Sequence, residues 1–171
     1  MKPPGRLSAA IEVLADIDSR HRPVAEALKA WGLNNRFAGA GDRAAIGNIV
    51  YDALRMKLSH AYLMDSDSAT ALGHAVMFRQ WGVSPGQLAQ ELEGDRFAPE
   101  PLTDDMKSAF SNRKLEDAPL HVQGDIPEWV QPSFEENFED EWLVEAQALA
   151  GRPALDLRAN TLKASRDKVL K

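Results

Sequence analysis

The stretch Gly39-Ala40-Gly41-Asp42-Arg43-Ala44 has the spacing G-x-G-x-x-A. At that spacing a glycine-rich turn can cradle a dinucleotide pyrophosphate on a helix N-terminus. The chemistry requires a buried strand before the turn and a βαβ unit after it. Here the preceding LNNRFA is too short and polar for a central strand, only helical patterns follow, and Asp42 would repel a pyrophosphate. The segment reads as a tight turn into a helix. Asp65-Ser66-Asp67 begins like a calcium loop, but its sixth position is Thr70 and its twelfth Val76, where glycine and glutamate are needed. It reads as a helix-capping turn. His21, His60, His74 and His121 form no i, i+4 pair, so no metal site is expected, and His60 and His74 read as partly packed helix residues. The chain has no cysteine, which excludes disulfides, thiolate metal sites and a cysteine nucleophile within these residues. No serine sits in a nucleophile elbow. These residues therefore carry no recognisable catalytic centre, and no cofactor or metal site is expected in them.

Binding chemistry is better represented. Arg20, Arg22, Arg36 and Arg43 crowd the loops that flank the second predicted helix, with Trp31 and Phe37 between them. Arginines beside aromatic rings suit phosphate contact and base stacking, which makes these four candidate RNA-binding residues. The alternative is that Trp31 and Phe37 are core and the arginines cap helix C-termini; the core reading is preferred for the two aromatics, and for the arginines both readings stand. Asp52 and Arg55 read as an i, i+3 helix pair.

The net charge of −6 conceals an asymmetry. Residues 1–62 carry nine Lys/Arg against six Asp/Glu, residues 63–150 five against eighteen, and residues 151–171 six against two. Nucleic-acid contact favours basic surface, so it belongs at the two ends of the chain. On charge alone the plainer reading is favoured, a solvated acidic face with basic termini, because surface charges usually just solubilise. The remaining composition, 44% hydrophobic and 27% charged, is that of a globular domain. No apolar run approaches the ~20 residues of a membrane span. Glu12, Asp16 and Asp18 interrupt any signal-peptide core, so a cytoplasmic location is the default.

The elements that must position these groups are helical. Leu7, Ala10, Ile11, Leu14 and Ile17 fall at helical spacing. Pro23 suits the first position of a second helix that Gly32 ends. Asp42 is expected to cap a third helix reaching Ala61, with Asn48, Asp52, Arg55 and Ser59 on its solvent face and Lys57 inconsistently inside the apolar arc. Further helices are expected over 69–81 behind Asp67 or Ser68, from Ser84-Pro85-Gly86-Gln87 to Glu93, and from Thr103 to about Phe110. Residues 111–126 read as irregular, and short helical pieces carry the chain to Ala150. Leu155 and Leu157 alternate with Asp156 and Arg158, as on a half-buried strand, and Ser165 could cap a last helix.

Two stretches carry more information. RHRPVAEALKAWGLNNRFAGAGDRAAIGNIVYDALR, residues 20–55, resembles the N-terminal NusB-like domain of the Sun/Fmu (RsmB-type) ribosomal RNA methyltransferases. LDLRANTLKASRDKVL, residues 155–170, resembles the LRxNxLK segment that opens the RNA-recognition-like subdomain of those enzymes, and DIPEWVQPSFEENF resembles the P-x-W helix before it. The resemblance implies an all-α, NusB-like helical bundle over residues 1–124, connector helices over 125–151, and over 152–171 the first strand and helix of a truncated α/β RNA-recognition-like subdomain. It implies RNA contact by Arg158, Asn160 and Lys163, a ribosomal RNA partner from the small subunit, and a catalytic domain in the same polypeptide. The family transfers methyl groups from S-adenosylmethionine to C5 of cytosine through a cysteine thiolate. Neither that thiol nor a cofactor loop is present, so these residues are expected to be the non-catalytic, RNA-docking part, binding no S-adenosylmethionine. Two alternatives are a non-enzymatic NusB-like interaction module of the antitermination type and a purely structural domain.

Overall fold

The computed structural model describes residues 1–154 and 156–170. Eleven α-helices follow one another among them: α1 (Pro3–Arg20), α2 (Val24–Asn34), α3 (Ala40–Arg55), α4 (Lys57–Met64), α5 (Ala69–Arg79), α6 (Pro85–Leu92), α7 (Asp104–Asn112), α8 (Leu120–Gln123), α9 (Gln131–Phe138), α10 (Trp142–Ala150) and α11 (Arg166–Val169). Single 3-10 turns at Leu115–Asp117, Glu128–Val130 and Glu139–Glu141 join the later ones. No strand occurs among the described residues. The all-α class holds, and none of these helices is long and apolar enough to cross a membrane.

α1, α3 and α5 make the centre. Leu7, Val13, Ile46, Ile49, Val50 and Val76 are buried there. Each such side chain contributes about 1.5–3 kcal/mol, more than the ~1 kcal/mol of a helix cap, so this packing holds the bundle. Two ion pairs show that α1 and α3 run in the same direction. Arg6 binds Asp42 near their starts, and Asp18 meets Lys57 at 3.7 Å near their ends. α5 crosses α1 closely: a Cβ at Gly73 would lie 2.8 Å from Ile11 Cγ1, so the crossing requires glycine. The caps at Ser68, Ser84 and Thr103 form as expected, Ser84 with Gln87 as a full capping box.

Several local expectations are corrected by packing. Gly32 does not end α2. It is buried within the helix, and the Arg43 guanidinium packs against it, with Nη1 3.3 Å from where a Cβ would stand. Asp42 does not cap α3, which starts from Gly39. Its carboxylate instead takes the N-terminal ammonium at 2.9 Å and Arg6 at 2.9 Å; these contacts, the ammonium first, lower its pKa. The predicted single helix over 42–61 is two. At Met56 the backbone leaves helical geometry (φ −117°, ψ 35°), which rephases the stripe and removes the inconsistency at Lys57. The expected irregular stretch 111–126 contains the short helix α8.

The largest correction concerns the polar side of α3 and α4. Asp52 and Ser59, expected to face solvent, are buried. Residues 118–152 fold back over them around a small cluster of Ile126, Trp142 and Ala146. Beyond Arg152 most of the described residues are exposed. Residues 156–159 have no regular structure, and Leu157, Leu162 and Leu170 are 64%, 96% and 67% accessible. The expected strand start at Leu155 lies outside the described residues. Deleting residues 153–171 is therefore expected to leave the melting temperature within about 3 °C, as few apolar contacts are lost. A larger fall in calorimetry would mean that this segment packs into the core in solution.

Candidate nucleic-acid interface

The four loop arginines do not form one patch. α2 has 11 residues, so its two flanking loops stand about 16 Å apart. At one end Arg20 and Arg22 share a single carboxylate, Asp16, at 3.1 and 3.0 Å. At the other, Arg43 donates from Nε to the Ala38 carbonyl at 2.8 Å while stacking on Gly32. Arg36 lies exposed in the turn after α2. The aromatics divide likewise. Trp31 packs against the core and its indole N–H donates to Glu12 Oε2 at 3.0 Å, whereas Phe37 is 72% exposed. Trp31, Phe37 and Phe97 line an open groove of about 810 Å³ between α1, the end of α2 and residues 94–98. Glu12 and Asp95 line it together with Lys2 and Arg96, so its charge is mixed and gives no basic track for a phosphate backbone.

The C-terminal positions are presented differently. Arg152 reaches back 100 residues to Asp52 on α3, donating from Nε and Nη2 to the two carboxylate oxygens at 2.9 and 2.5 Å. A planar guanidinium makes this two-pronged contact with a carboxylate, and a lysine ammonium cannot reproduce it. Hydrogen bonding to Asp52 raises the Arg152 pKa above its ordinary value, holding the charge in place. Arg55 adds a weaker contact to Asp52 at 3.4 Å. The expected i, i+3 pair exists, but the dominant partner comes from the other end of the chain. After this anchor, Arg158, Asn160 and Lys163 are exposed. Asn160 has a local job: its Oδ1 accepts from Leu162 N at 3.1 Å and its carbonyl accepts from Lys163 N at 2.9 Å, forming the turn that displays Lys163.

A buried polar chain lies beneath the returning segment, and sequence reasoning missed it. Arg79 donates from Nη1 to Ser59 Oγ at 2.7 Å, and Ser59 donates onward to Asp125 Oδ2 at 2.6 Å. Asp125 Oδ1 also accepts from Ser59 N at 2.8 Å. Burial pushes the Asp125 pKa up, and the Ser59 hydrogen bonds and the Arg79 charge oppose it; burial likewise lowers that of Arg79. Next to it, His60 donates from Nε2 to Gln80 Oε1 at 3.0 Å, and its Nδ1 has no partner among the described residues. Burial, then the Arg79 charge, lower the His60 pKa to about 4. His74 is buried too, bonded through Nδ1 to the Thr70 carbonyl at 2.8 Å, and its pKa is also lowered by burial. Ser59 is fully buried and its proton is committed to Asp125, so this chain braces α4, α5 and the returning segment rather than offering a nucleophile. The only sequence signal was Ser-His on a helix; the partners sit 20 and 66 residues away.

Among the described residues no three metal-ligating side chains lie together. Compared with known protein families, with curated proteins and with solved structures, the chain gives no match.

Proposed function

We propose that this chain is the RNA-docking, non-catalytic part of an S-adenosylmethionine-dependent ribosomal RNA cytosine-5 methyltransferase, with a NusB-like bundle as its helical body. In this reading the cofactor and the cysteine nucleophile belong to a catalytic domain of the same polypeptide. The order of the resembling segments along the chain supports it. The observation that carries it is the exposed basic segment after Arg152, where Arg158, Lys163, Arg166 and Lys168 stand clear of the acidic middle while Arg152 ties the segment's root to Asp52.

The test is fluorescence anisotropy with a labelled single-stranded RNA across a salt series. Neutralising Arg158 and Lys163 together (R158A/K163A) is expected to weaken binding about tenfold at 50 mM salt. It should also flatten the slope of log K against log salt by about 1.4, because each lost phosphate contact removes ~0.7 for a single strand. No saturable binding at low salt, or an unchanged slope in the double variant, would count against RNA docking by this segment.

The exposed apolar side chains on the connector favour a second reading, a non-enzymatic protein-interaction module. Trp129 is 81% accessible, Leu149 68% and Val144 65%. Exposed aromatic and aliphatic groups at this density suit a protein contact.

A further inference from the structure

We propose that the surface where Arg152 meets α3 is a single-stranded RNA site, with a base stacked on Trp81 and a phosphate held by Arg55 and Arg152. The inference rests on the RNA-docking reading and gives it a location on the helical body, away from the loops around α2.

Asp52, Arg55, Trp81, Arg152 and Asn48 line a recess of about 410 Å³, a size suited to a small ligand. Its charge favours an anion. Two guanidiniums face one carboxylate, so the cluster carries a net positive charge within a chain whose middle is strongly acidic. The donors are not used up. A guanidinium has five N–H groups; Arg152 spends Nε and Nη2 on Asp52, and Arg55 spends only a long contact at 3.4 Å. Both side chains are partly accessible, 52% for Arg152 and 33% for Arg55. Asp52 thus orients Arg152 without neutralising the pair.

The stacking element is beside them. Trp81 lines the same recess and is 38% exposed, which presents a ring to solvent. Tyr51 extends the surface, with the Arg55 guanidinium 5.8 Å from its ring centroid. Asn48 is exposed on the same helix face and carries an amide that can both donate to and accept from a base edge. Gln80 also lines the recess, but its amide is held by His60 and Met56 and contributes shape alone. Aromatic faces beside arginines, with an amide for a base edge, are the requirements for binding unpaired nucleotides; a duplex keeps its bases stacked and cannot use Trp81. Arg152 also begins the basic segment of Arg158 and Lys163, so one strand could contact both.

The full chain should be titrated with a fluorescein-labelled 12-nucleotide oligouridine and, separately, with a duplex RNA of the same length. The single strand is expected to bind at least fivefold more tightly. Trp81→Ala and Arg55→Gln should each weaken single-strand binding at least fivefold, and Trp81→Phe should recover most of the loss, because a phenyl ring still stacks. Circular dichroism melts check folding; if Trp81→Ala does not fold, Trp81→Phe and Arg55→Gln still decide. Wild-type binding weakened by R158A/K163A but changed less than twofold by Trp81→Ala and Arg55→Gln would overturn this site and leave the docking reading standing. Equal affinity for the duplex would overturn it too. No binding of either RNA by the wild type would defeat the docking reading itself, and this site with it.

Discussion

Replacing Asp125 by alanine is expected to lower the stability of the chain by about 3 kcal/mol, the largest effect of any single substitution outside the apolar core. Three groups depend on that carboxylate. Ser59 loses two hydrogen bonds, at 2.8 and 2.6 Å, and Arg79 loses the negative charge that offsets its burial. Breaking a buried charge pair from one side costs about 3–5 kcal/mol; the ion pair here runs through the Ser59 hydroxyl, which places it at the lower end. For a chain of this size, 1 kcal/mol moves the melting temperature by roughly 2–4 °C, so a fall of about 6–12 °C is expected. Part of the effect is backbone, because Asp125 has φ 53°, a conformation that Asp and Asn adopt more readily than Ala. Asp125→Asn separates the two: it keeps the backbone preference and one acceptor but not the charge, and should fall between wild type and alanine. A loss below about 1 kcal/mol in denaturant unfolding of Asp125→Ala would show that the polar chain does not brace the fold.

Acid should destabilise the chain through His60. Its folded pKa of about 4 lies below the ordinary 6.5, because burial and the Arg79 charge disfavour the imidazolium. A lowered pKa means that the unfolded state binds the proton more readily. The stability is therefore fully present above pH 6.5 and is lost as pH falls from 6.5 through 4. At about 1.4 kcal/mol per pH unit the loss reaches roughly 3 kcal/mol. His74, lowered in the same direction by burial, adds to it. Asp125 works against it: its raised pKa makes protonation favour the folded state as pH falls, returning some stability at the acid end. Melting temperatures measured from pH 7 to pH 4 should fall steeply, and His60→Gln, which keeps an amide donor near Gln80, should flatten the profile by about half. Superimposable profiles for the two proteins would assign the acid sensitivity elsewhere.

What could be read from the residues alone was much, though not all, of what local rules govern; the Gly32 stop, the Asp42 cap and an unbroken helix over 42–61 did not form. The apolar stripe of α1, the caps at Ser68, Ser84 and Thr103, and the all-α class follow from side-chain spacing and backbone hydrogen bonding within a few residues, and they form as expected. The tertiary structure decided which polar groups are solvated. Asp52 and Ser59 lie on the polar face of their helices, and nothing within four residues says that residues 118–152 return to cover it. The partners that make burial tolerable, Arg152 for Asp52 and Asp125 for Ser59, are 100 and 66 residues away. The same holds for the candidate site. Arg20, Arg22, Arg36 and Arg43 are close in sequence but divided by the length of α2, whereas Arg55, Trp81 and Arg152 are far apart in sequence and line one recess. Spacing along a chain reports a helix face; it does not report which distant segment closes over that face, because that choice is made by the burial of apolar surface summed over the whole fold.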